Sequence, residues 1–193
     1  MVTVASSSRE RLAPHVRRNQ LIDLGLQLLG DRPLDQIPVD EIARRAGISR
    51  GLLFHYFGSK RGFLTEVVRR AAAELLRATQ PDPTEDPFDQ LHHGLLAYVK
   101  YVQANRTGYL SLVRGAAGAD PALAEIFEAT RQSLVDRVLA GLGDARPSPT
   151  LRVAVRGWVA MVEEATVTWL DHQPISRKAL VELLEHALAA LIE

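Results

Sequence analysis

The 193-residue sequence contains no cysteine, so disulfides, thiolate catalysis and metal sites built from thiolates are all excluded. It also lacks any apolar run near the ~18 residues that a membrane-spanning helix needs. The first residues show no apolar core of a signal peptide. We therefore expect a cytoplasmic protein that does not contact a membrane.

The usual sequence motifs of enzymes are missing too. There is no glycine-rich phosphate-binding loop, no Gly-x-Ser-x-Gly and no His-Glu-x-x-His. His92 and His93 are adjacent and diverge around a helix, while His172 and His186 have no partner at a ligand spacing. We expect no catalytic site, no bound metal and no cofactor.

Strand signals are also absent: there is no sustained apolar and polar alternation, and no Asn-Gly or Asp-Gly turn. Apolar residues recur instead every three or four positions, which predicts an all-α protein of about nine helices. The pattern places helices at 14–29, 39–46, 50–57, 59–79, 87–104, 121–142, 149–170 and from 176 to the end. A segment with three prolines, 80–87, separates two parts.

The charge is distributed unevenly between these parts, although the net charge is zero. Residues 1–80 carry thirteen Lys and Arg against eight Asp and Glu, whereas residues 81–193 carry ten against fifteen. A basic part followed by an acidic one is typical of a protein whose first part binds a polyanion, although such clusters also arise by chance.

The most informative stretch is 39–57, where residue types needed by two short helices at a steep angle occur at fixed offsets. Ala43 is small where the helices must approach, and Gly47 suits the positive φ that ends the first helix. Ser49 can cap the second helix through its hydroxyl. The residues expected to face inward are Ile42, Ile48, Leu53 and Phe57.

This stretch resembles the TetR family of bacterial regulators. The matching residues are Ile42-Ala43-Arg44-Arg45-Ala46-Gly47-Ile48-Ser49, Phe54-His55-Tyr56-Phe57 and Ser59-Lys60, within a similarity that covers about 15–70. The resemblance implies a three-helix helix-turn-helix domain with an N-terminal arm at 1–58, a linking helix at 59–80, and a helical ligand-binding and dimerisation domain at 81–193.

The resemblance also implies that the helix at 50–57 enters the major groove of double-stranded DNA. The candidate DNA-binding residues are Arg50, Gly51, Leu52, His55, Tyr56 and Lys60. Arg50 can reach guanine O6 and N7, Gly51 permits close approach, and Leu52 either touches a thymine methyl or packs locally. The polar-tipped His55 and Tyr56 suit phosphate or base edges, and the lysine suits a phosphate at a helix start.

Two departures from the family pattern and four arginines bear on these contacts. Phe54 stands where many family members have a tyrosine that binds a phosphate, so the hydrogen bond of that tyrosine cannot form here. Pro38 stands where the family often has a Ser or Thr that caps the helix and contacts a phosphate. Arg17 and Arg18 either contact the DNA backbone or lie on a solvated charged face, and we favour the solvated face. Arg9 and Arg11 of the arm are candidates for the minor groove.

In this family the last two helices usually form the dimer interface. Each of them carries an apolar stripe here, which is explained either by burial within one subunit or by dimerisation. The stripe residues are Val155, Trp158, Val159, Val162, Ala165, Thr166 and Trp169, then Leu180, Leu183, Leu184, Ala187, Leu188 and Leu191. The resemblance favours a homodimer, which suits an inverted-repeat operator.

A ligand cavity among the middle helices is the remaining implication of the resemblance. The candidate ligand-binding residues are Tyr98, Tyr109, Arg114, Phe127 and Trp158, although for any single aromatic residue we favour ordinary core packing. Arg114 either anchors an anionic ligand or pairs with Glu163 or Glu164, and we favour the ion pair.

Together these features predict a transcriptional repressor that a small hydrophobic or amphipathic effector releases from a palindromic operator. The alternative is a helical adaptor that binds another protein. An adaptor would explain the amphipathic helices, but not the motif at 42–60 or the uneven charge.

Overall fold

The computed structural model describes residues 13–116, 120–143 and 146–192. Within these ranges the chain forms nine α-helices and no strand, which confirms the predicted all-α fold. The helices are α1 (Pro14–Asp31), α2 (Val39–Arg45), α3 (Arg50–Phe57), α4 (Lys60–Ala78), α5 (Pro87–Ala104), α6 (Arg106–Ser111), α7 (Pro121–Gly141), α8 (Pro149–His172) and α9 (Arg177–Ile192). The predicted arm with Arg9 and Arg11 lies outside the described residues.

The starts of α5, α7 and α8 share one local arrangement. Asp86, Asp120 and Ser148 each accept a hydrogen bond from a backbone N–H of the first turn, and each precedes a proline. The side-chain oxygen satisfies a donor that has no partner within the helix, and proline at the first position loses no hydrogen bond. The starts of these three helices are therefore confirmed.

Helices α1 to α3 pack with the first half of α4 around a shared core. Leu21, Ile42, Leu53 and Phe63 are completely buried there. Of the four residues expected to face inward, Ile42 and Leu53 do so fully, whereas Ile48 and Phe57 are partly exposed at the edge.

Helix α6 was not placed by the sequence pattern, and it joins the second part to the first. A Cβ built on Gly108 would lie 2.4 Å from the Leu29 carbonyl oxygen, so only glycine allows α6 to lie this close to α1. The Leu34 amide donates to Ser111 Oγ at 3.2 Å. A π-helical turn, Leu112–Ala116, follows and buries Leu112 in the N-terminal core.

Helices α5, α7, α8 and α9 form a second core with the end of α4. Trp158 is buried in it, and its indole Nε1 donates to the Leu184 carbonyl at 2.8 Å. The predicted apolar stripe on α8 therefore faces its own subunit, and the expectation that these residues form the dimer interface is wrong. On α9, Leu184 is likewise buried, whereas Leu183 is 55% exposed.

Candidate nucleic-acid interface and ligand cavities

The turn between α2 and α3 has the geometry that its sequence predicts. Gly47 has φ of 67°, and the Ile48 amide donates to the Ala43 carbonyl at 3.0 Å. Ser49 Oγ accepts from the Leu52 amide at 3.2 Å and caps α3. Leu53 is fully buried in the N-terminal core and holds α3 against it. The opposite face of α3 is thereby held towards solvent.

That outer face carries four of the six predicted DNA-binding residues. Arg50, Gly51, Leu52 and His55 are all exposed, and a Cβ on Gly51 would contact only the Ser49 hydroxyl at 3.8 Å. The backbone at Gly51 is therefore accessible to a large binding partner. The arrangement gives one long cation, one apolar side chain and one imidazole on a rigid helix of eight residues.

Arg50 is positioned by two contacts that the sequence pattern did not reveal. Its guanidinium lies 3.2 Å from the Asp40 carboxylate and 5.2 Å from the ring centroid of Phe54. The ion pair is exposed on both sides, so it contributes little stability and is readily exchanged for another acceptor. Phe54 has no hydroxyl group to bind a phosphate, and its ring instead makes a cation–π contact with Arg50.

Lys60 and Tyr56 lie at the junction of α3 and α4. Lys60 begins α4, is exposed, and donates from Nζ to the Asp35 carbonyl at 3.2 Å. Ser59 caps α4 by accepting from the Gly62 amide at 3.0 Å. Tyr56 is half-buried beside this cap, next to the ring of His55. The structure therefore places all six predicted DNA-binding residues along one continuous edge.

Arg17 and Arg18, which we expected on a solvated charged face, are partly exposed, and each has a specific partner. Arg17 is half-buried and donates to the Ala46 carbonyl at 3.1 Å. Arg18 pairs with Glu66 at 2.8 Å and lies 5.2 Å from the Phe57 ring centroid. Both arginines tie α1 to the rest of the N-terminal domain, a role that requires residues distant in sequence.

A further ion pair joins the two parts beside this edge. Arg61 donates from Nε and Nη2 to the two carboxylate oxygens of Asp120, each at 2.7 Å. These hydrogen bonds lower the pKa of Asp120 and raise that of Arg61. Asp120 also caps α7, so the start of α4 and the start of α7 share one carboxylate.

The described residues of the second part line two cavities. The proximal cavity is nearer to the DNA-binding domain, and the distal cavity is farther from it. The proximal cavity, of about 330 Å³, is enclosed by α4 to α7 and by Leu26 and Leu29 of α1. The distal cavity, of about 320 Å³, lies between α5, α7, α8 and α9 beside the end of α4. Both fall in the ~300–1,000 Å³ range of small-molecule sites.

The predicted ligand-binding residues divide between these cavities. Tyr109 and Phe127 line the proximal cavity, and Trp158 lines the distal one. Tyr98 lines both and forms part of the partition. Arg114 lies outside both, so no cavity wall supports its predicted role as a ligand anchor.

The partner predicted for Arg114 was wrong. Its guanidinium pairs with Asp171 near the end of α8, which also accepts from Arg106 at 3.3 Å. Glu163 instead pairs with Arg131 at 2.6 Å. The π-helical turn directs Arg114 to the surface, where its side chain is 51% exposed, and this turn was not foreseen from sequence.

The partition between the cavities contains neutral hydroxyl groups. The Tyr98 and Tyr109 hydroxyls share a hydrogen bond of 2.5 Å. Burial raises the pKa of Tyr109 to about 12 and raises that of Tyr98 well above its ordinary value. Both tyrosines therefore stay protonated at neutral pH and can each donate or accept a hydrogen bond.

The two adjacent histidines contact different carboxylates, as their diverging directions predict. His92 lies 2.7 Å from Glu185 on α9, and His93 lies 2.9 Å from Glu85. The Glu85 carboxylate raises the pKa of His93. Among the described residues, no group of three His, Asp or Glu side chains has the geometry of a metal site. No helix in the described ranges is long and apolar enough to cross a membrane.

Comparison with known proteins agrees with this geometry. Residues 21–67 match the family model of bacterial regulatory proteins of the tetR family, and residues 87–191 match the tetracyclin repressor-like C-terminal domain. Over 153 residues the chain is 32% identical to the HTH-type transcriptional regulator BetI of Stenotrophomonas maltophilia, covering 77% of this chain and 78% of that one. It is 25% identical to the HTH-type transcriptional activator FasR of Mycolicibacterium smegmatis, covering 89% and 81%.

A solved structure leads to the same assignment. A tetR-family transcriptional regulator from Streptomyces coelicolor superimposes with a TM-score of 0.85 at 30% identity, covering 94% of this chain and 82% of that one. The two family models together span both parts of the chain, and the C-terminal one alone covers more than half of it. The chain therefore belongs to the TetR family of DNA-binding transcriptional regulators.

Proposed function

We propose that this regulator is a repressor that binds an inverted-repeat operator through α3. The observation that carries the proposal is the outward face of α3, held rigid by the Ser49 cap and the buried Leu53. On this face Arg50 reads base edges, Leu52 contacts a thymine methyl, and Gly51 lets the backbone approach. His55, Tyr56 and Lys60 bind the flanking phosphates.

The proposed operator requires two copies of the chain, because one helix of eight residues reads few bases. We propose a homodimer through α8 and α9. The α8 stripe is already covered within the subunit, so the interface uses the apolar residues that these two helices leave exposed. They are Val153 and Met161 on α8 and Leu183 and Leu191 on α9. Exposed apolar surface of this extent supports a protein interface.

We further propose that a small effector releases the repressor, with Tyr98, Tyr109, Phe127 and Trp158 among its contacts. Support comes from the two cavities: the wall of the proximal one includes residues of α1 and α4, and the wall of the distal one includes Thr79 at the end of α4. A ligand in either cavity therefore meets the helix that leads into the DNA-binding domain. It can shift the equilibrium by its preference for one arrangement, typically ~1–3 kcal/mol of coupling.

The proposed roles of the segments follow the domain limits expected from the sequence. Residues 1–58 bind DNA, residues 59–80 connect the two domains, and residues 81–193 bind the effector and the second subunit. We assign no catalytic role, since the similar proteins are named as regulators. A regulator of bacterial genes meets its operator in the cytoplasm, which is the compartment we propose.

The experiment that tests this proposal is a binding selection on random double-stranded DNA at moderate salt. We expect enrichment of an inverted repeat whose half-sites lie about one helical turn, ~34 Å, apart. The matched control is the Arg50→Ala/Tyr56→Ala double variant, which should enrich nothing. Enrichment of the same sequence by both proteins would contradict DNA reading by α3.

The direction of regulation needs a second measurement, because one similar protein is named an activator. The selected operator is placed across a promoter, and transcription in vitro is measured with and without the protein. A repressor lowers the transcript in proportion to operator occupancy. An increase in transcript would contradict repression while leaving DNA binding intact.

A further inference from the structure

Arg137 on α7 is a half-buried cation on the wall of the distal cavity. Its guanidinium donates to the Leu76 carbonyl at 2.7 Å, Thr79 Oγ1 at 2.9 Å and Gln80 Oε1 at 3.3 Å. All three acceptors are neutral, and no carboxylate of the described residues lies within ion-pair distance. Burial without a countercharge lowers the pKa of this guanidinium.

The hydrogen-bonding capacity of Arg137 is not exhausted by these contacts. An arginine has five N–H donors, and three of them are used by described residues. Two donors remain on the side chain, which is the number that a carboxylate accepts in a bidentate pair. The distal cavity therefore offers a partly desolvated positive charge with free donors.

The two carboxylates on the cavity wall each have a partner other than Arg137. Glu163 pairs with Arg131 at 2.6 Å, and Glu185 shares a hydrogen bond of 2.7 Å with His92. Arg131 precedes Arg137 by six residues on α7, which separates the two arginines by ~9 Å along the helix axis. Glu163 is therefore engaged by Arg131, and Arg137 has no carboxylate partner among the described residues.

Most of the remaining wall is apolar. The apolar lining residues include Leu91, Leu95, Leu134, Trp158, Val162 and Leu188. An elongated aliphatic chain would bury its surface against these residues, and burial of apolar surface favours binding. A ligand with one charged end and one apolar body would therefore fit the distal cavity.

We propose that the distal cavity binds a carboxylate amphiphile, with its head on Arg137 and its aliphatic tail running towards Tyr98. This inference names the chemical class of the effector and so rests on the proposed ligand-responsive function. The carboxylate supplies the countercharge that the protein does not. The head also meets the end of α4, because Arg137 donates to the Leu76 carbonyl in the last turn of that helix, and α4 follows α3 in the chain.

Calorimetric titration of the full chain, without DNA, tests this site with three probes of equal tail length: decanoate, decan-1-ol and decyltrimethylammonium, all below their micelle concentrations. We expect decanoate to bind about tenfold more tightly than the alcohol, as charge-assisted hydrogen bonds imply. The cation should bind most weakly. Equal affinities, or tightest binding of the cation, would overturn the proposal without any variant being needed.

Arg137→Gln should remove the preference for decanoate while leaving binding of the alcohol within about twofold. Arg77→Gln is the matched control, since Arg77 lies at the same end of α4, is 78% exposed and lines neither cavity. It should retain the tenfold preference. A preference that survives in Arg137→Gln would overturn the site. Because no DNA is present, this outcome is independent of the operator selection that tests the proposed function.

Discussion

At the scale of single residues, the partition between the cavities depends on a few buried polar side chains. Tyr98 and Tyr109 satisfy each other through one hydrogen bond, and the adjacent Arg131 and Glu163 form an ion pair. Polar groups that are buried with their partners fix one arrangement, because losing one partner leaves the other unsatisfied at ~1–3 kcal/mol. This partition should therefore be rigid and sensitive to substitution.

We predict a steep loss of stability at alkaline pH that depends on Tyr109. Unfolded tyrosine ionises near pH ~10, whereas burial raises the pKa of folded Tyr109 to about 12. Stability is therefore fully present below pH ~10 and falls as the pH rises towards about 12, since only the unfolded chain can release this proton. Urea unfolding between pH 9 and pH 11.5 measures the fall.

The Tyr109→Phe variant should show a smaller fall over that range, by up to about 2 kcal/mol. The matched control is Tyr56→Phe, which alters the half-buried tyrosine beside α4 and leaves the partition unchanged. The account of the partition would be contradicted if Tyr109→Phe lost stability with pH as steeply as the unmutated protein.

Residue-level prediction from sequence succeeded where the cause is local. The cap at Ser49 and the positive φ of Gly47 depend only on residues within one turn, and both are confirmed. The prediction for Arg114 was wrong, because its ion-pair partner Asp171 is distant in sequence and is brought close only by the way the end of α8 packs against α6. Arg137 was not identified at all, since nothing near it in sequence shows that it borders a cavity.

At the scale of elements, α6 is the contact through which the second domain meets α1. Gly108 faces the Leu29 carbonyl so closely that any side chain would collide with backbone. The sequence pattern did not reveal this helix, because six residues are too few to show a helical period. By contrast, helices opened by Asp-Pro or Ser-Pro were placed to within two residues at each end.

We predict that Gly108→Ala lowers the free energy of unfolding by about 1–3 kcal/mol, because α6 must move away from α1. Chemical denaturation measures the change. Gly94→Ala in the interior of α5 is the control, since a Cβ there meets nothing within 4 Å. It should be neutral or stabilising by about 0.5–1 kcal/mol. Equal effects of the two substitutions would contradict the close approach of α6.

At the scale of the whole molecule, the outer side of α8 and α9 remains uncovered. Val153 is 73% exposed and Leu183 55% exposed, whereas Trp158 and Leu184 on the inner side are buried. The family resemblance correctly indicated the fold, but sequence periodicity could not tell whether an apolar stripe is buried within the subunit or left for an interface. Within the α9 stripe, Leu184 is buried and Leu183 is exposed, a difference that only the packed structure reveals.

We predict that Leu183→Glu dissociates the dimer, because it places a charge in an apolar interface. Sedimentation velocity should show the mass of one chain, and affinity for the selected operator should fall by at least about tenfold. Phe88→Glu is the matched control, since Phe88 is 64% exposed at the start of α5 and belongs to neither α8 nor α9. A Leu183→Glu protein that sediments as the unmutated protein does would contradict the proposed interface.

The most direct test of DNA reading by α3 is the affinity of two single variants for two DNA duplexes. One duplex is the selected operator, and the other carries a changed guanine in each half-site. Fluorescence anisotropy should show that Arg50→Ala loses about 1–3 kcal/mol of discrimination between the duplexes. Lys60→Ala should weaken both complexes equally, as loss of a phosphate contact does. If Arg50→Ala retained full discrimination, α3 would not be the element that reads the operator.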